Sequence, residues 1–131
     1  MARILIVEND ATLAELLQWA LRQDGYDVTV ALHASDAIEL GVAEPPDLIL
    51  TDWMLLHSMH GGNVSKAIRD VCPWTKTIVI TGHPEIVRQA WAWGDYIDLV
   101  IEKPFHMRHL LGATHRVLHE TDCVASSFSY Q

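Results

Sequence analysis

Cysteine is scarce in this chain. Only two occur among 131 residues, Cys72 and Cys123, too few for the disulfide framework of a small secreted domain. They read as the reduced thiols of a cytoplasmic protein. Basic residues are also few: 9 Lys and Arg stand against 17 Asp and Glu, for a formal net charge of −8. With no basic run, that balance argues against a nucleic-acid-binding surface. Long hydrophobic runs are missing as well. The apolar stretches have strand length, short of a membrane span, and the segment from Met1 to Val7 is too short for a secretory signal. Neither G-x-x-x-x-G-K-[ST] nor G-x-G-x-x-G occurs, which disfavours a nucleotide-binding loop. Internal repeats and low-complexity segments are absent too. What remains is a globular composition, 50% hydrophobic and 20% charged, in a chain of one-domain length that buries roughly two-thirds of its unfolded surface.

Strands and helices alternate along it. Ile4 to Val7 is an uninterrupted apolar run, as suits a strand buried on both faces of a parallel sheet. A helical period follows through Leu13, Leu16, Leu17, Ala20 and Leu21, with Asn9 or Asp10 as cap and Gly25 as terminator. Asp27 to Ala31 reads as a second strand. Ser35 then caps a short helix bearing Ala37, Ile38 and Val42, stopped by Pro45 and Pro46. The third strand, Leu48 to Thr51, closes on Asp52. Beyond Gly61 and Gly62 a helix carries Val64, Ala67, Ile68 and Val71. Thr77 to Thr81 is the fourth strand. Pro84 starts a helix with Ile86, Val87 and Ala90 that ends near Gly94. Leu99 to Ile101 is the fifth strand, and the last helix aligns Met107, Leu110, Leu111, Thr114 and Leu118. Five strand–helix units predict an α/β, flavodoxin-like, doubly wound parallel sheet in the order 2-1-3-4-5 with five helices. The domain is expected over residues 1–120, with 121–131 as a tail or the start of a linker.

In open α/β sheets, ligands bind beyond the carboxyl ends of the strands. Glu8, Asn9 and Asp10 follow the first strand, Asp52 ends the third, Thr81 the fourth, and Lys103 follows the fifth. Singly, each has an ordinary explanation: a turn or cap for Asp, a β-former for Thr, a solvated Lys. Their co-occurrence at one edge is the signal. The stretches Ile4 to Asp10 (ILIVEND), Asp47 to Trp53 (DLILTDW), Ile80 to His83 (ITGH) and Lys103 to Phe105 (KPF) resemble the four signature blocks of response-regulator receiver domains. The resemblance runs from residue 3 to about 118. It implies a two-component phosphorylation switch rather than an enzyme, with Asp52 as phosphoacceptor and Lys103 and Thr81 contacting phosphoryl oxygens. It further implies Mg²⁺ held by Glu8, Asn9, Asp52 and the Met54 carbonyl, and a cis bond between Lys103 and Pro104. The implied partners are a sensor histidine kinase or phosphotransfer protein, and a second copy docking through the fourth helix, fifth strand and fifth helix.

The chain departs from the family pattern at several positions. Asn9 stands where an acid is usual, Leu56 where the loop after the acceptor has Pro, and His60 where Asp often precedes Gly61. Val100 occupies the place of the aromatic switch residue, and Tyr96 lies near it. His57, His60 and His83 fall in loops at the same edge, where a transition-metal site competes with plain solvated histidines. Trp91 and Trp93, two apart, are expected to face opposite ways, one inward and one outward. Two other functions compete. A pseudo-receiver would keep the fold and bind partners without phosphorylation. A phosphatase of the haloacid-dehalogenase type would want a second Asp where Met54 stands.

Overall fold

The computed structural model describes residues 1–56 and 59–119. The chain alternates as expected: β1 (Arg3–Val7), α1 (Ala11–Gln23), β2 (Asp27–Ala31), α2 (Ala34–Ala43), β3 (Leu48–Asp52), α3 (Gly61–Arg69), β4 (Lys76–Thr81), α4 (Pro84–Trp91), a 3-10 turn (Gly94–Tyr96), β5 (Leu99–Glu102) and α5 (Met107–His119). All strand pairings are parallel, in the order β2-β1-β3-β4-β5. The reversal of winding at β1 and β3 opens a crevice above those strands. The register puts Val7 beside Thr51, Asp52 beside Ile80, and Thr81 beside Glu102. The polar strand ends therefore share one edge. The expected tail, residues 121–131, lies outside the described residues.

Side chains alternate across each strand. Ile4, Ile6, Leu48, Leu50, Ile78 and Ile80 face one way and pack with Leu17, Leu21 and Leu110 of α1 and α5. Leu5, Val7 and Ile49 face the other way, against Ala34 and Ala37 of α2 and Val64 and Ile68 of α3. Both faces are covered, which is why the strands read as unbroken apolar runs. A smaller cluster of Trp53, Val79, Ala90 and Ile97 closes the α4 side.

The helix ends follow local chemistry. Asp10 is the N-cap of α1 and accepts hydrogen bonds from the backbone N–H groups of Thr12 and Leu13. Gly25, at φ +95°, ends that helix in a conformation that L side chains resist. Pro84 opens α4.

Some expected positions shift. The cap of α2 is His33, not Ser35. The α4 helix ends at Trp91, and the 3-10 turn carries the chain on through Gly94. Leu16, Val42 and Val71 are exposed rather than buried. In α1 and α2 the small residues Ala14 and Gly41 take the inward positions. Val71 lies beyond the end of α3. Apolar residues on a surface are ordinary, so a stripe drawn through every Leu and Val overcounts the core.

Candidate functional site

Parallel pairing brings Glu8, Asp52, Thr81 and Lys103 to the carboxyl edge of the sheet, as the strand ends imply. Lys103 enters from the loop after β5, where the Lys103–Pro104 peptide is cis. Its backbone N–H donates to the Thr81 carbonyl at 2.7 Å. Its ammonium donates to Asp52 Oδ2 at 3.1 Å and to Glu8 Oε1 at 3.5 Å. One cation thus spans two carboxylates from β3 and from the end of β1.

The carboxylates differ in setting. Glu8 is 3% exposed. Burial pushes its carboxyl above the usual range, assisted by the charge of Asp52 and opposed by the Asp10 N–H and by Lys103. The Asp10 N–H donates to Glu8 Oε2 at 3.1 Å. Burial works against the Lys103 ammonium, but Asp52 and Glu8 together outweigh it and raise the pKa. Asp52 is less enclosed, its Oδ1 accepting the Met54 N–H at 3.0 Å. Thr81 is buried, and its Oγ1 accepts the His83 N–H at 3.1 Å.

Gly61 makes room beneath Asp52. A Cβ there would stand 2.8 Å from the Asp52 carbonyl oxygen and 2.9 Å from Thr51 Cγ2. With glycine, the start of α3 tucks directly under the end of β3.

Two residues behave differently from their sequence reading. Asn9 does sit beside Glu8, but its side-chain Nδ2 donates to the Leu32 carbonyl at 2.6 Å. It ties the end of β1 to the loop after β2. His60 is no solvated loop residue. Its Nδ1 accepts the Gly62 N–H at 3.1 Å, while its own N–H donates to Asn63 Oδ1 at 2.9 Å, which makes a capping box at the start of α3. Its ring stacks on Trp53, with centroids 4.3 Å apart and planes within 9°. Trp93 closes edge-on, 4.8 Å from His60 and 6.0 Å from Trp53. Burial lowers the His60 pKa. An antiparallel β-bridge joins Met54 to His60 beside this stack. Histidine is not a preferred cap, so only the Asn three residues on hinted at the box.

Of the three loop histidines, only His60 and His83 are among the described residues, and they serve different contacts. His83 is exposed and lies 3.6 Å from Glu85, and His57 lies outside the described residues. Among the described residues, no three His, Cys, Asp or Glu side chains form a metal-holding group. Of the pair on either side of Ala92, Trp93 is the inward one and Trp91, at 46% exposed, the outward one. Val100 packs with the Trp53 cluster. Tyr96 lies apart from Lys103 and donates its hydroxyl to Asp70 at 3.0 Å. No helix among the described residues is long and apolar enough to cross a membrane.

Comparison with known proteins agrees with this arrangement. The response regulator receiver protein CpdR of Brucella abortus is 30% identical over 118 residues, covering 90% of this chain and 98% of the relative. The cell cycle transcriptional regulator CtrA of Caulobacter vibrioides is 26% identical over 95% of this chain, which spans 54% of that longer protein. In structure, the CheY-like receiver domain protein from Methanospirillum hungatei superposes with a TM-score of 0.83 at 28% identity, covering 92% of this chain and 95% of the other. The non-phosphorylated HemR receiver domain from Leptospira biflexa gives 0.78 at 28% identity, over 91% and 95%. The family model of the response regulator receiver domain matches residues 4–115, and with the β2-β1-β3-β4-β5 sheet and its polar carboxyl edge the chain belongs to that family.

Proposed function

We propose that this chain is a phosphorylation switch in which Asp52 accepts a phosphoryl group from the phosphohistidine of a sensor kinase or phosphotransfer protein in the cytoplasm. The observation that carries the reading is Lys103 Nζ held between Asp52 and Glu8. A carboxylate oxygen of Asp52 attacks phosphorus, the P–O bond forms, and the P–N bond to the donor imidazole breaks with its electron pair left on nitrogen. An anion attacking an anionic group needs compensating charge, and the Lys103 ammonium supplies one positive charge at the acceptor. The Thr81 hydroxyl, buried one strand away, would hydrogen-bond a phosphoryl oxygen once the group arrives.

The oxygen-only donor set suits a small hard cation. Glu8 and Asp52 carboxylates and the Met54 carbonyl would hold Mg²⁺, with Asn9 offering its amide oxygen. The burial that unsettles the Glu8 carboxylate is the kind of cost a divalent cation offsets. When bound, Mg²⁺ neutralises charge shared between carboxylates and phosphoryl oxygens. The functional domain is residues 1–120, and the output is a protein surface, including self-association through α4, β5 and α5.

A second reading, a pseudo-receiver acting without phosphorylation, is favoured by one observation: the side chain of Asn9 is engaged with Leu32 rather than free at the site. One experiment separates the two. Incubation with acetyl phosphate or phosphoramidate and Mg²⁺, followed by intact mass, should show one added phosphoryl group that Asp52→Ala abolishes. An unmodified wild-type mass at saturating donor would select the second reading.

A further inference from the structure

The last turn of α5 carries two histidines four residues apart, His115 and His119. Residues at that spacing lie one above the other on a single helix face. Both are exposed, and their imidazole rings stand with centroids 4.4 Å apart and planes tilted by 44°. Among the described residues nothing crowds this face: a Cβ on Gly112, a turn earlier, would meet none of their atoms within 4 Å. Neither ring belongs to the site at Asp52. The helix starts just after that site and runs back along the sheet, which puts its last residue on the order of 18 Å from its first.

We propose that His115 and His119 form a two-nitrogen chelate for a transition-metal ion, separate from the oxygen site at Asp52. Metal–imidazole bonds of about 2.0–2.1 Å place two adjacent ligating nitrogens roughly 3 Å apart. Rings already side by side meet that need by side-chain rotation, with the helix backbone unmoved. Imidazole nitrogen suits Cu²⁺, Ni²⁺ and Zn²⁺ but not Mg²⁺, and the order of affinity puts Cu²⁺ first. Position favours a cation too, because the carbonyl end of a helix carries partial negative charge. The neighbouring Arg116 is turned about 100° around the axis from His115 and about 60° from His119, so its cation is a neighbour the ion binds in spite of. A bound ion clips the final turn of α5, and because the unfolded chain does not hold the rings together, binding raises the stability of the folded domain.

The test is titration of the full chain with Cu²⁺ alone, in mildly alkaline, non-chelating buffer, followed by calorimetry and by electron paramagnetic resonance. The expected result is a dominant site of one equivalent with two nitrogen donors. Either His115→Ala or His119→Ala should weaken it at least tenfold, and the double variant His106→Ala/His109→Ala on the same helix should not. Cu²⁺ should raise the melting temperature of the wild type and of that control, but not of the His115 or His119 variants. His115→Gln and His119→Gln repeat the measurement with polar side chains, should alanine unsettle the helix. Affinity unchanged by loss of His115 or His119, or weakened equally in the control, would overturn the proposal. Phosphorylation of Asp52 should be indifferent to all these substitutions, so failure of one reading is distinguishable from failure of the other.

Discussion

Asn9 illustrates how one atom type changes a site. Its amide donates to the Leu32 carbonyl at 2.6 Å, a bond a carboxylate cannot make. Asn9→Asp therefore has two separable effects. An added negative charge beside Glu8 and Asp52 should tighten Mg²⁺ several-fold, read from tryptophan fluorescence, with Trp53 next to the acceptor as reporter. Loss of the bond should lower the stability of the metal-free protein by about 1 kcal/mol, read by thermal unfolding. Unchanged Mg²⁺ affinity would refute the charge argument. On the proposed function, Met54 and His83 would bear on the lifetime of the phosphorylated state. Both lie at the rim, Met54 52% exposed and His83 next to Thr81. An apolar, flexible Met excludes water without orienting it, whereas His83 can either donate to the phosphoryl group or position a water. A long-lived phospho-form is expected, decaying faster in Met54→Asn and changing less in His83→Ala. Mass spectrometry after donor removal reads the decay; loss within seconds in the wild type would contradict this. At this scale the identities of Glu8, Asp52, Thr81 and Lys103 were legible, because each ends or follows a strand. The engagement of Asn9 was not, since its partner lies 23 residues on, in a loop whose path depends on the β1–β2 pairing.

Helix α3 begins on a histidine that works only when neutral. Its Nδ1 accepts the Gly62 N–H, and burial lowers its pKa. Protonation would remove the acceptor and place a cation at the positive end of a helix. The unfolded chain takes up this proton at the ordinary histidine pKa of about 6.5, and the folded chain only at lower pH. The contribution is thus complete above about pH 6.5 and is lost as pH falls from there through the lower folded value. His60→Asn keeps a capping oxygen and cannot titrate, so its stability should fall less steeply than the wild type across that window, read by denaturant unfolding at several pH values. Equal slopes would show that His60 does not govern this region. The same element shows the limit of pattern reading. Val64 and Ile68 were legible from their spacing, but the cap was not, because histidine seldom fills that place, and the stack with Trp53 and Trp93 depends on a tertiary approach over Gly62. There a Cβ would stand 2.7 Å from Trp93 and 2.9 Å from Trp53. Helix α4 offers the other test. Trp91 is its exposed aromatic, and Trp91→Ala should weaken phosphorylation-dependent association several-fold while leaving Asp52 modifiable. Light scattering on the phosphorylated protein measures it, and unaltered association would exclude this face.

The whole molecule places its chemistry by topology more than by local design. Unbroken apolar runs announced a parallel sheet covered on both faces, and the parallel sheet collects its carboxyl ends at one edge. That chain of inference held from Ile4 to α5. It depended on alternation and strand length, two properties that survive misjudged surface residues such as Leu16 and Val42. The joint between Lys103 and Glu8 spans 95 residues of sequence, and its cation comes from the loop after the last strand to join the ends of the interior strands β1 and β3. Contacts so distant along the chain form only after the intervening loops have closed. The charge needed at Asp52 is accordingly absent from any partly built sheet. If Asp52 is the phosphoacceptor proposed above, a chain that has not yet formed β5 would be mute toward its donor, and responsiveness would certify that this sheet is fully assembled.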